Sequence, residues 1–504
     1  MSILEKLARE PNEIAIEDGS RTTTWAALWD SATRIAHFMI DDLQLRPGDH
    51  VASLQGNNIA FYELVFAAMF SGVWLVPVNT HLTPDEVAYI LDDAGVRVVF
   101  TDADHVALAC ASTLATVIDV GAELHDRAGV ARATPFDLDG PTGGRMHYTS
   151  GTTGRPKGVK RALPPTIRGY MELLGRLGDA VRLDGRGPHL MTGPHYHAAV
   201  SGYALFDMVN GSPVVMMPKF DAESVLTLIA ERAIAHVHLV PTMFVRLLRL
   251  PEATRLAFDP SPLSLVLHGA APISPTTKRA MIAWWGPRIL EYWGTSEGGT
   301  FTLIDSAEWL ERPGSVGRAL PGVEVFAVDD AGHRLAADEI GTLYCRTGDA
   351  ARPFRYHNAP EKTDGSYLAP GVFTMGDMGN VDRDGYVFLT DRATNMIISG
   401  GVNIYPAEVE HALGDHPAVV DVAVFGVPDD EWGESVKAAI ELRPGVAPTP
   451  ELALELIAFA KTKLASYKAP RSIDFEDRLP RLDTGKILTR QLREPYWRDK
   501  DRKI

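Results

Sequence analysis

Residues 146–158 read MHYTSGTTGRPKG, and this stretch decides the fold. Four hydroxyls and three glycines surround one lysine, Lys157; the hydroxyls belong to Thr149, Ser150, Thr152 and Thr153. Glycines let the backbone adopt conformations in which several N–H groups converge on an anion. Hydroxyls add donors, and the lysine adds a compact positive charge. The stretch therefore predicts a loop that binds a triphosphate.

The loop is not a Walker A loop. That pattern, G-x-x-x-x-G-K-[ST], has glycine before the lysine and a hydroxyl residue after it. Here Pro156 precedes Lys157 and Gly158 follows it. On its own, the composition also fits a solvated turn rich in Gly, Ser and Thr. Residues outside this loop are therefore needed to choose between a phosphate-binding loop and a solvated turn.

The totals limit the class of protein. At 504 residues the chain is too long for one hydrophobic core, so we expect at least two domains. A formal net charge of −16 argues against nucleic-acid binding, which needs a basic face, although a local basic patch stays open. The two cysteines, Cys110 and Cys345, fit no metal spacing and indicate buried thiols in a reducing compartment.

No targeting or membrane segment is evident, so we expect a cytoplasmic protein. The first residues, MSILEKLAREPNEIAIEDG, lack the apolar region of a signal peptide. The most apolar run, residues 64–78, is too short to span a bilayer and is broken by Ser71, Gly72 and Pro77. We interpret this run as a buried helix that leads into a strand.

Hydrophobic patterning predicts an α/β protein. Up to about residue 316, helices alternate with strands, which is typical of mostly parallel sheets covered by helices. From Gly317 the strands become short and turn-rich, which indicates a β-rich subdomain. DRATNMIISGG, residues 391–401, marks a boundary, so we expect domains at 1–391 and 392–504. The predicted elements are the helices 25–40, 58–70 and 83–94, helices begun by Asp221 and Thr449, and the strands 50–54, 73–77, 96–101, 213–217, 236–240, 264–268, 323–328, 341–346, 386–390, 422–427 and 436–442.

YTSGTTGRPKG, residues 148–158, resembles the phosphate loop of the acyl-adenylate-forming (ANL) superfamily, which contains acyl-CoA synthetases, luciferases and adenylation domains. Further stretches match that superfamily in its order, so the resemblance covers about Thr24 to Arg493. It implies a large N-terminal domain of two α/β subdomains plus a β-rich subdomain, and a small mobile α+β C-terminal domain. It also implies that ATP phosphates contact Thr149, Ser150, Gly151, Thr152, Thr153, Gly154 and Lys157.

GPHYH, residues 193–197, resembles a proline-aromatic-histidine motif of the superfamily. The resemblance places His197 beside the acyl pocket as a gate; the alternative is a core or surface histidine. An amino-acid substrate would need an acid near this motif to hold its ammonium. The next acid is Asp207, which argues against an amino-acid-activating enzyme.

Two further stretches resemble the adenine and metal sites. HGAAP, residues 268–272, matches the turn beside adenine, although most such turns are structural. EYWGTSEGG, residues 291–299, matches the aromatic-Gly-x-Thr-Glu motif, whose aromatic face can stack on adenine. Glu297, with Ser296, can hold Mg²⁺ through hard oxygen ligands, and the alternative for Glu297 is a solvated acid. The resemblance assigns nucleotide contacts to Gly269, Ala270, Ala271, Glu291, Tyr292, Trp293, Gly294, Thr295 and Ser296.

The C-terminal part carries the remaining matches. GVFTMGDMG, residues 371–379, places Asp377 in an apolar turn, where ribose hydroxyls would satisfy its carboxylate. The resemblance also implies that Arg392 holds ribose or phosphate. In LPRLDTGKILTR, residues 479–490, it implies that Lys486 bridges carboxylate and α-phosphate oxygens. A turn-capping aspartate and a surface lysine are the alternatives.

The loop ISGGVNIYP, residues 398–406, resembles the loop that the superfamily uses in its second half-reaction. Gly400 and Gly401 would let the pantetheine of CoA approach closely. The pivot between the domains departs from the pattern, because Thr394 stands where Lys or Asp is usual and Asn395 where an acid is common. A hinge needs only residues that absorb a φ/ψ change, so the pivot can still turn.

These matches predict an ATP-dependent carboxylate–CoA ligase, with Lys486, Glu297, Lys157 and His197 as the catalytic groups. The acid would attack the α-phosphate of Mg·ATP to give acyl-AMP and pyrophosphate, and CoA would then displace AMP. We expect ATP, Mg²⁺ and CoA, a small-molecule carboxylic acid as substrate, and no nucleic acid. Two alternatives stay open: a stand-alone adenylation enzyme that loads a carrier protein, and a nucleotide-binding module without catalysis.

The expected acid is a medium- or long-chain fatty acid or a bulky, apolar, steroid-like acid, because the candidate pocket wall is apolar and roomy. Residues 204–224 and 291–299 also resemble ligases grouped with bile-acid or steroid-side-chain activation. Five arginines between 161 and 186 favour a solvated helix, with a lid on an anionic membrane as the alternative. The sequence leaves homodimer formation open. The wall residues are Tyr196, His197, Ser201, Leu205, Met208, Val240, Phe244 and the 268–272 turn; the arginines are Arg161, Arg168, Arg176, Arg182 and Arg186.

Overall fold

The computed structural model describes residues 1–19, 21–149, 156–271, 273–348, 350–392, 396–399, 402–429, 432–464, 466–481 and 487–498. The helices in these ranges are Ile3–Arg9, Trp25–Asp41, Ile59–Ser71, Pro84–Ala94, Val106–Ser112, Leu124–Gly129, Ile167–Ala180, Ala198–Val209, Ala222–Glu231, Pro241–Leu248, Glu252–Ala257, Pro275–Trp285, Ser306–Glu311, Pro360–Gly365, Pro406–Gly414, Pro450–Lys463 and Thr489–Trp497. The strands are Ile14–Glu17, Thr22–Thr24, His50–Leu54, Trp74–Pro77, Val96–Thr101, Thr116–Asp119, Gly144–Arg145, His147–Thr149, Lys157–Arg161, His189–Met191, Val214–Met216, His236–Leu239, Leu265–His268, Ile289–Thr295, Gly299–Asp305, Ser315–Ala319, Val323–Val328, Gly341–Thr347, Phe354–Tyr356, Tyr367–Ala369, Val372–Phe373, Asp377–Val381, Tyr386–Arg392, Ile397–Ser399, Val402–Ile404, Val419–Asp429, Gly433–Leu442 and Ser472–Glu476.

The first α/β subdomain is built on a parallel sheet. Its strands lie in the spatial order 116–119, 96–101, 50–54, 74–77 and 144–145. The helix Ile59–Ser71 is apolar almost all round, and all of its residues are buried; such a helix belongs in a core. It ends at Gly72, whose φ is 76° and where a Cβ would lie 2.9 Å from the Cβ of Pro47. The predicted buried helix leading into a strand is confirmed.

The second α/β subdomain carries parallel strands in the order 14–17, 214–216, 189–191, 236–239, 265–268 and 289–295. Ligands of such sheets bind beyond the carboxyl ends of the strands. Those ends lead into the GPHYH, HGAAP and EYWGTSEGG stretches. Beyond Ile289–Thr295 the sheet continues through antiparallel strands into the β-rich subdomain, so the two subdomains share one sheet.

The buried carboxylate of Asp207 lies at the amino ends of these strands, opposite to the ends that lead into the three motifs. His189 and His236 begin neighbouring strands, and their Nδ1 atoms lie 3.0 and 2.7 Å from Oδ2 of Asp207. Burial would raise the pKa of Asp207, but hydrogen bonds from the two histidines lower it to about 2. The carboxylate therefore ties the amino ends of two strands to the helix Ala198–Val209.

The C-terminal residues from Ile397 onward have their own hydrophobic core. The strands 419–429 and 433–442 pair antiparallel, and the strand 472–476 joins them in parallel. The helix Pro450–Lys463 begins as predicted, because the Thr449 hydroxyl accepts the N–H of Leu452 at 3.2 Å. The fold class, a large α/β N-terminal part with a small α+β C-terminal part, is confirmed. The boundary between 391 and 392 stays a prediction.

The two cysteines differ in exposure. Cys345 is buried as predicted, whereas Cys110 is exposed. The prediction of a buried thiol is therefore wrong for Cys110, because the helix Val106–Ser112 buries only its Ala109 and Ser112 sides. Among the helices that the structure describes, none is long and apolar enough to cross a bilayer.

Candidate active site

The phosphate loop lies at the end of a β-hairpin. The strands His147–Thr149 and Lys157–Arg161 pair antiparallel, with Thr149 opposite Lys157. Residues 150–155, which include the predicted contacts Ser150, Gly151, Thr152, Thr153 and Gly154, lie outside the described residues. Gly158 is needed for packing, because a Cβ there would lie 2.9 Å from Sδ of Met146. The hairpin thus fixes both ends of the loop beside each other.

Glu297 lies in the turn between the strands Ile289–Thr295 and Gly299–Asp305, and its side chain is buried. Its Oε1 accepts a hydrogen bond of 3.0 Å from the hydroxyl of Tyr356, which lies on the third strand of the hairpin's sheet. The ammonium of Lys362 lies 4.3 Å from the Tyr356 ring centre. Burial lowers the pKa of Lys362, Glu297 opposes that shift, and Lys157 adds to it. One carboxylate and two ammonium groups therefore lie near one another at this turn.

The turn that carries Glu297 is held by its neighbours. The hydroxyl of Thr295 accepts the N–H of Gly298 at 3.1 Å, which closes the turn around Ser296. A Cβ on Gly294 would lie 2.3 Å from the carbonyl oxygen of Gly299, so only glycine fits there. Tyr356 and Lys362 were not predicted as site residues; the alternating aromatic residues of the strand Phe354–Tyr356 were the available signal in the sequence.

Trp293 is buried and holds Asp377. The indole Nε1–H donates to Oδ2 of Asp377 at 3.1 Å, and the indole packs on Phe301 with ring centres 5.0 Å apart. Only 7% of Trp293 is exposed, so its face offers little surface for adenine, which differs from the expected stacking role. Asp377 is opposite Arg392 in the strand register, which brings both predicted ribose-binding residues together.

Glu291 and Tyr292 point to opposite sides of their strand and contact protein groups. Glu291 forms a buried ion pair with Lys278, and burial raises the pKa of Glu291 while the Lys278 charge opposes the rise. The Tyr292 hydroxyl lies 3.0 Å from Nε2 of His238. Both side chains therefore contact other protein groups. At these two positions of the strand, only the backbone is available to contact a ligand.

The turn after the strand Leu265–His268 is tightly packed. A Cβ on Gly269 would lie 2.6 Å from the carbonyl oxygen of Tyr292, so the turn lies directly against the next strand. Ala270 has φ 66°, in the left-handed region that alanine rarely adopts. Such strained residues are often found at functional sites. Ala271 follows at the same edge of the sheet.

His197 begins the helix Ala198–Val209 amid other histidines. Burial, with smaller contributions from the charges of neighbouring histidines that include His197, lowers the pKa of His195 and of His238 to about 3. His195 is also held by Asn57, whose Oδ1 accepts its backbone N–H at 2.9 Å. These two histidines are neutral at physiological pH, so they add polar groups but no charge to the surroundings of His197.

The predicted pocket wall is divided by the sheet. Leu205 and Met208 are fully buried in the core of the first subdomain, whereas Val240 and Phe244 belong to a second core. The prediction of one apolar wall from all of these residues is therefore wrong, because helical periodicity shows which side is apolar but not what covers it.

The helix Ala198–Val209 carries two polar groups, Ser201 and Tyr203, whose partners Arg145 and Thr300 were not predicted from the sequence. Nη1 of Arg145 donates to Oγ of Ser201 at 3.2 Å. The hydroxyls of Tyr203 and Thr300 lie 2.8 Å apart. The helix thus presents hydrogen-bonding groups at its first two turns.

The arginines between 161 and 186 do not form one basic helix face. Arg161 ends a strand, and the helix Ile167–Ala180 carries only Arg168 and Arg176. Arg168 pairs with Asp139 at 2.9 Å, and the two arginines after the helix pair with acids as well. The prediction of five arginines on one helix is therefore wrong, and contact with a membrane stays untested.

Several predicted site residues lie outside the described residues. They are Lys486, Gly400 and Gly401, together with the pivot residues Thr394 and Asn395. The lysine's segment is bracketed by a β-bridge between Arg481 and Ile487.

Two family profiles match the chain. One, described as AMP-binding enzyme, matches residues 3–353. The chain belongs to this family. The other, described as the AMP-binding enzyme C-terminal domain, matches residues 408–486. AMP-binding enzymes thus account for both parts of the fold, and the resemblance of the YTSGTTGRPKG loop to that superfamily is confirmed.

Individual AMP-binding enzymes match over nearly the whole chain. A fatty acid–[acyl-carrier-protein] ligase of Streptomyces coeruleorubidus is 34% identical over 98% of this chain and 96% of the relative. A 7a-methyl-1,5-dioxo-octahydroindenyl-propanoyl:CoA ligase of Rhodococcus jostii is 31% identical over 98% of each chain. The o-succinylbenzoate CoA synthetase of Bacillus subtilis, solved with its acyl-adenylate intermediate, superposes with a TM-score of 0.81 at 27% identity and 97% coverage of each chain.

Proposed function

We propose that the chain is an ATP-dependent ligase that activates a carboxylic acid as acyl-AMP and transfers the acyl group to the thiol of CoA. The observation that carries the proposal is the grouping of Glu297, Lys157 and Lys362 near one another in an AMP-binding enzyme. A carboxylate is a poor electrophile and an adenylate is a good one. Activation therefore needs the acid and the α-phosphate side by side, and no protein nucleophile.

In the first half-reaction, a carboxylate oxygen of the acid attacks the α-phosphorus of ATP and the bond to pyrophosphate breaks. Lys157 and Lys362 offset the charge on the leaving phosphates, since preorganised cations stabilise charge that develops in a transition state. Asp377 accepts the ribose hydroxyls, and Trp293 fixes its orientation. Lys486 bridges the carboxylate and the α-phosphate.

Glu297 and Ser296 suit a Mg²⁺ ion, which prefers hard oxygen ligands together with phosphate. Tyr356 orients Oε1 of Glu297, and Oε2 has no protein partner in the part of the chain that the structure describes. The carboxylate is therefore held in place with one oxygen left for a ligand. The ion would offset phosphate charge there.

In the second half-reaction, the thiol sulfur of CoA attacks the acyl carbon and AMP leaves with the bonding electrons. Gly400 and Gly401 admit the pantetheine arm. A carrier protein presents the same arm, and the relative from Streptomyces coeruleorubidus carries such an acceptor in its name. Loading of a carrier protein is therefore the second candidate function.

The acid is, by the names of the relatives, a fatty acid or a bulky ring system that ends in a propanoyl group. We expect this acid to lie beside His197 and the turn at Gly269, the residues that match the acyl-pocket motifs of the superfamily.

Mass spectrometry tests the proposal with ATP, a panel of acids, and either CoA or a carrier protein bearing pantetheine. Acyl-CoA supports the first function, and transfer to the carrier protein alone supports the second. Absence of ATP–pyrophosphate exchange with every acid would refute a ligase. Glu297→Gln should abolish exchange, whereas the exposed control Glu252→Gln should retain it.

A further inference from the structure

Two arginines lie close to each other beside the hairpin that carries the phosphate loop. Arg145 precedes the hairpin and pairs with Leu75 in the sheet of the first subdomain, whereas Arg161 ends the second hairpin strand and pairs with Phe354. Burial lowers the pKa of Arg161, and the nearby charge of Arg145 adds to the lowering. Like charges at such close range repel each other.

Arg161 points into the protein rather than to the surface. A Cβ on Gly299 would lie 3.0 Å from its Nη1 and 3.1 Å from its Nη2, so the guanidinium lies against that turn. The buried rings of Tyr170 and Tyr203 are its other charge-sensitive neighbours. Within the described ranges, no carboxylate pairs with Arg161.

Arg145 likewise has no counter-ion among the residues described. Its Nη1 donates to the Ser201 hydroxyl, and its Nε is buried with no hydrogen-bond partner. Both arginines are half-buried rather than freely solvated. Two guanidinium groups side by side without a carboxylate indicate that an anion from outside the chain pairs with them.

This arginine pair lies between the turn that carries Glu297 and the helix that follows His197. Gly299 follows Glu297 by two residues, so their Cα atoms are at most about 7 Å apart. Ser201 and Tyr203 lie on the helix that begins directly after His197, the proposed acyl gate. The ammonium groups of the phosphate side belong to other residues, Lys157 and Lys362.

We propose that Arg161 and Arg145 bind a second carboxylate at the far end of the substrate, so that the acid activated is a dicarboxylic acid. The inference rests on the proposed ligase function. Guanidinium groups bind carboxylates through two parallel hydrogen bonds, which gives both affinity and orientation. The Tyr203 hydroxyl, held by Thr300, stands beside Arg161 as a further donor. An acid with a wholly apolar tail would leave both guanidinium groups without an anion.

The test compares dicarboxylic acids of four to ten carbons with their monomethyl esters, which keep the reacting carboxylate and the chain length. ATP–pyrophosphate exchange is measured for wild type, Arg161→Met, Arg161→Lys and the surface control Arg168→Met. Wild type should prefer the best diacid over its ester by about 30-fold in kcat/KM, as expected for a charged bidentate contact. Arg161→Met should remove that preference, Arg161→Lys should restore part of it, and Arg168→Met should keep it.

Three results would overturn the proposal. The ester could be used as well as the diacid, Arg161→Met could lower both substrates equally, or it could raise the KM for ATP alone, which would assign the guanidinium to phosphate. Calorimetric titration of wild type and Arg161→Met with the diacid separates this proposal from the ligase function. Diacid binding that Arg161→Met abolishes supports the second carboxylate site even if no acid is adenylated, and a failure of exchange then counts against the ligase function only.

Discussion

The buried ion pair between Lys278 and Glu291 links the helix Pro275–Trp285 to the strand Ile289–Thr295. Its contribution to stability can be tested by a double-mutant cycle. Lys278 is 0% exposed and Glu291 is 5% exposed. The Lys278 ammonium also lies 4.6 Å from the ring centre of Trp309, and Nε2 of His268 lies 3.7 Å from Oε2 of Glu291. The pair therefore has no access to water that could replace a missing partner.

Removing one partner leaves the other charge buried and unpaired, which destabilises by roughly 3–5 kcal/mol. Lys278→Met and Glu291→Met should each lower the free energy of unfolding by that amount. The double variant replaces both charges by unbranched apolar chains and should come within about 1 kcal/mol of wild type. The cycle then gives a coupling energy of several kcal/mol between the two side chains.

Urea unfolding followed by tryptophan fluorescence measures the cycle, because Trp309 lies beside the pair.

In Lys278→Met, burial raises the pKa of Glu291 without an opposing charge, so the folded state binds a proton more tightly than the unfolded state. Stability is then present below the unfolded pKa and is lost as pH rises through the folded pKa. The difference in unfolding free energy between wild type and Lys278→Met should therefore be smaller at pH 5 than at pH 8. Additive single effects, or a pH-independent deficit, would refute this reasoning.

Three further predictions concern separate parts of the molecule. Asp207→Asn should lower the unfolding free energy near neutral pH: the lowered pKa of about 2 supplies stability that is present above the unfolded value of 3.8 and lost as pH falls toward 2, so the variant's unfolding free energy should vary less with pH than that of wild type over that interval. Trp293→Phe removes the N–H that orients Asp377 and should raise the KM for ATP about tenfold, since a hydrogen bond to a charged group contributes about 1.5–3 kcal/mol; an unchanged KM would contradict the ribose-binding assignment. Lys486→Ala should abolish acyl-AMP formation and spare thioester formation from synthetic acyl-AMP; equal loss in both assays would refute its assignment to adenylation alone.

Local patterns predicted the elements well where a strand or helix has strong boundaries. The strands His50–Leu54, Val96–Thr101 and Val323–Val328 have the predicted bounds, because short apolar segments there are flanked by turn residues or glycine. The helix cap at Thr449 was equally local. These features need only neighbouring residues, and the sequence contains them directly.

Features that depend on distant partners could not be predicted. Leu205 and Met208 were placed in a pocket, but the first subdomain covers them. The ion pair of Glu291 needs a helix that packs behind its strand. Arg145 and Arg161 come near each other because the strands His147–Thr149 and Lys157–Arg161 pair antiparallel. The phosphate loop itself was recognised by its resemblance to a family rather than by composition, which also fits a solvated turn.

The sheet that carries the phosphate loop is completed by a strand from much later in the chain. Phe354–Tyr356 pairs with Lys157–Arg161, and Tyr356 also holds Glu297. During synthesis at about 5–20 residues per second, that strand emerges roughly 10–40 s after the hairpin. In a ribosome-bound chain that stops before Phe354, the phosphate loop would therefore lack its third strand. The hydrogen bond from Tyr356 that orients Glu297 would also be absent. Nucleotide capture thus becomes a late event in the life of each newly made molecule.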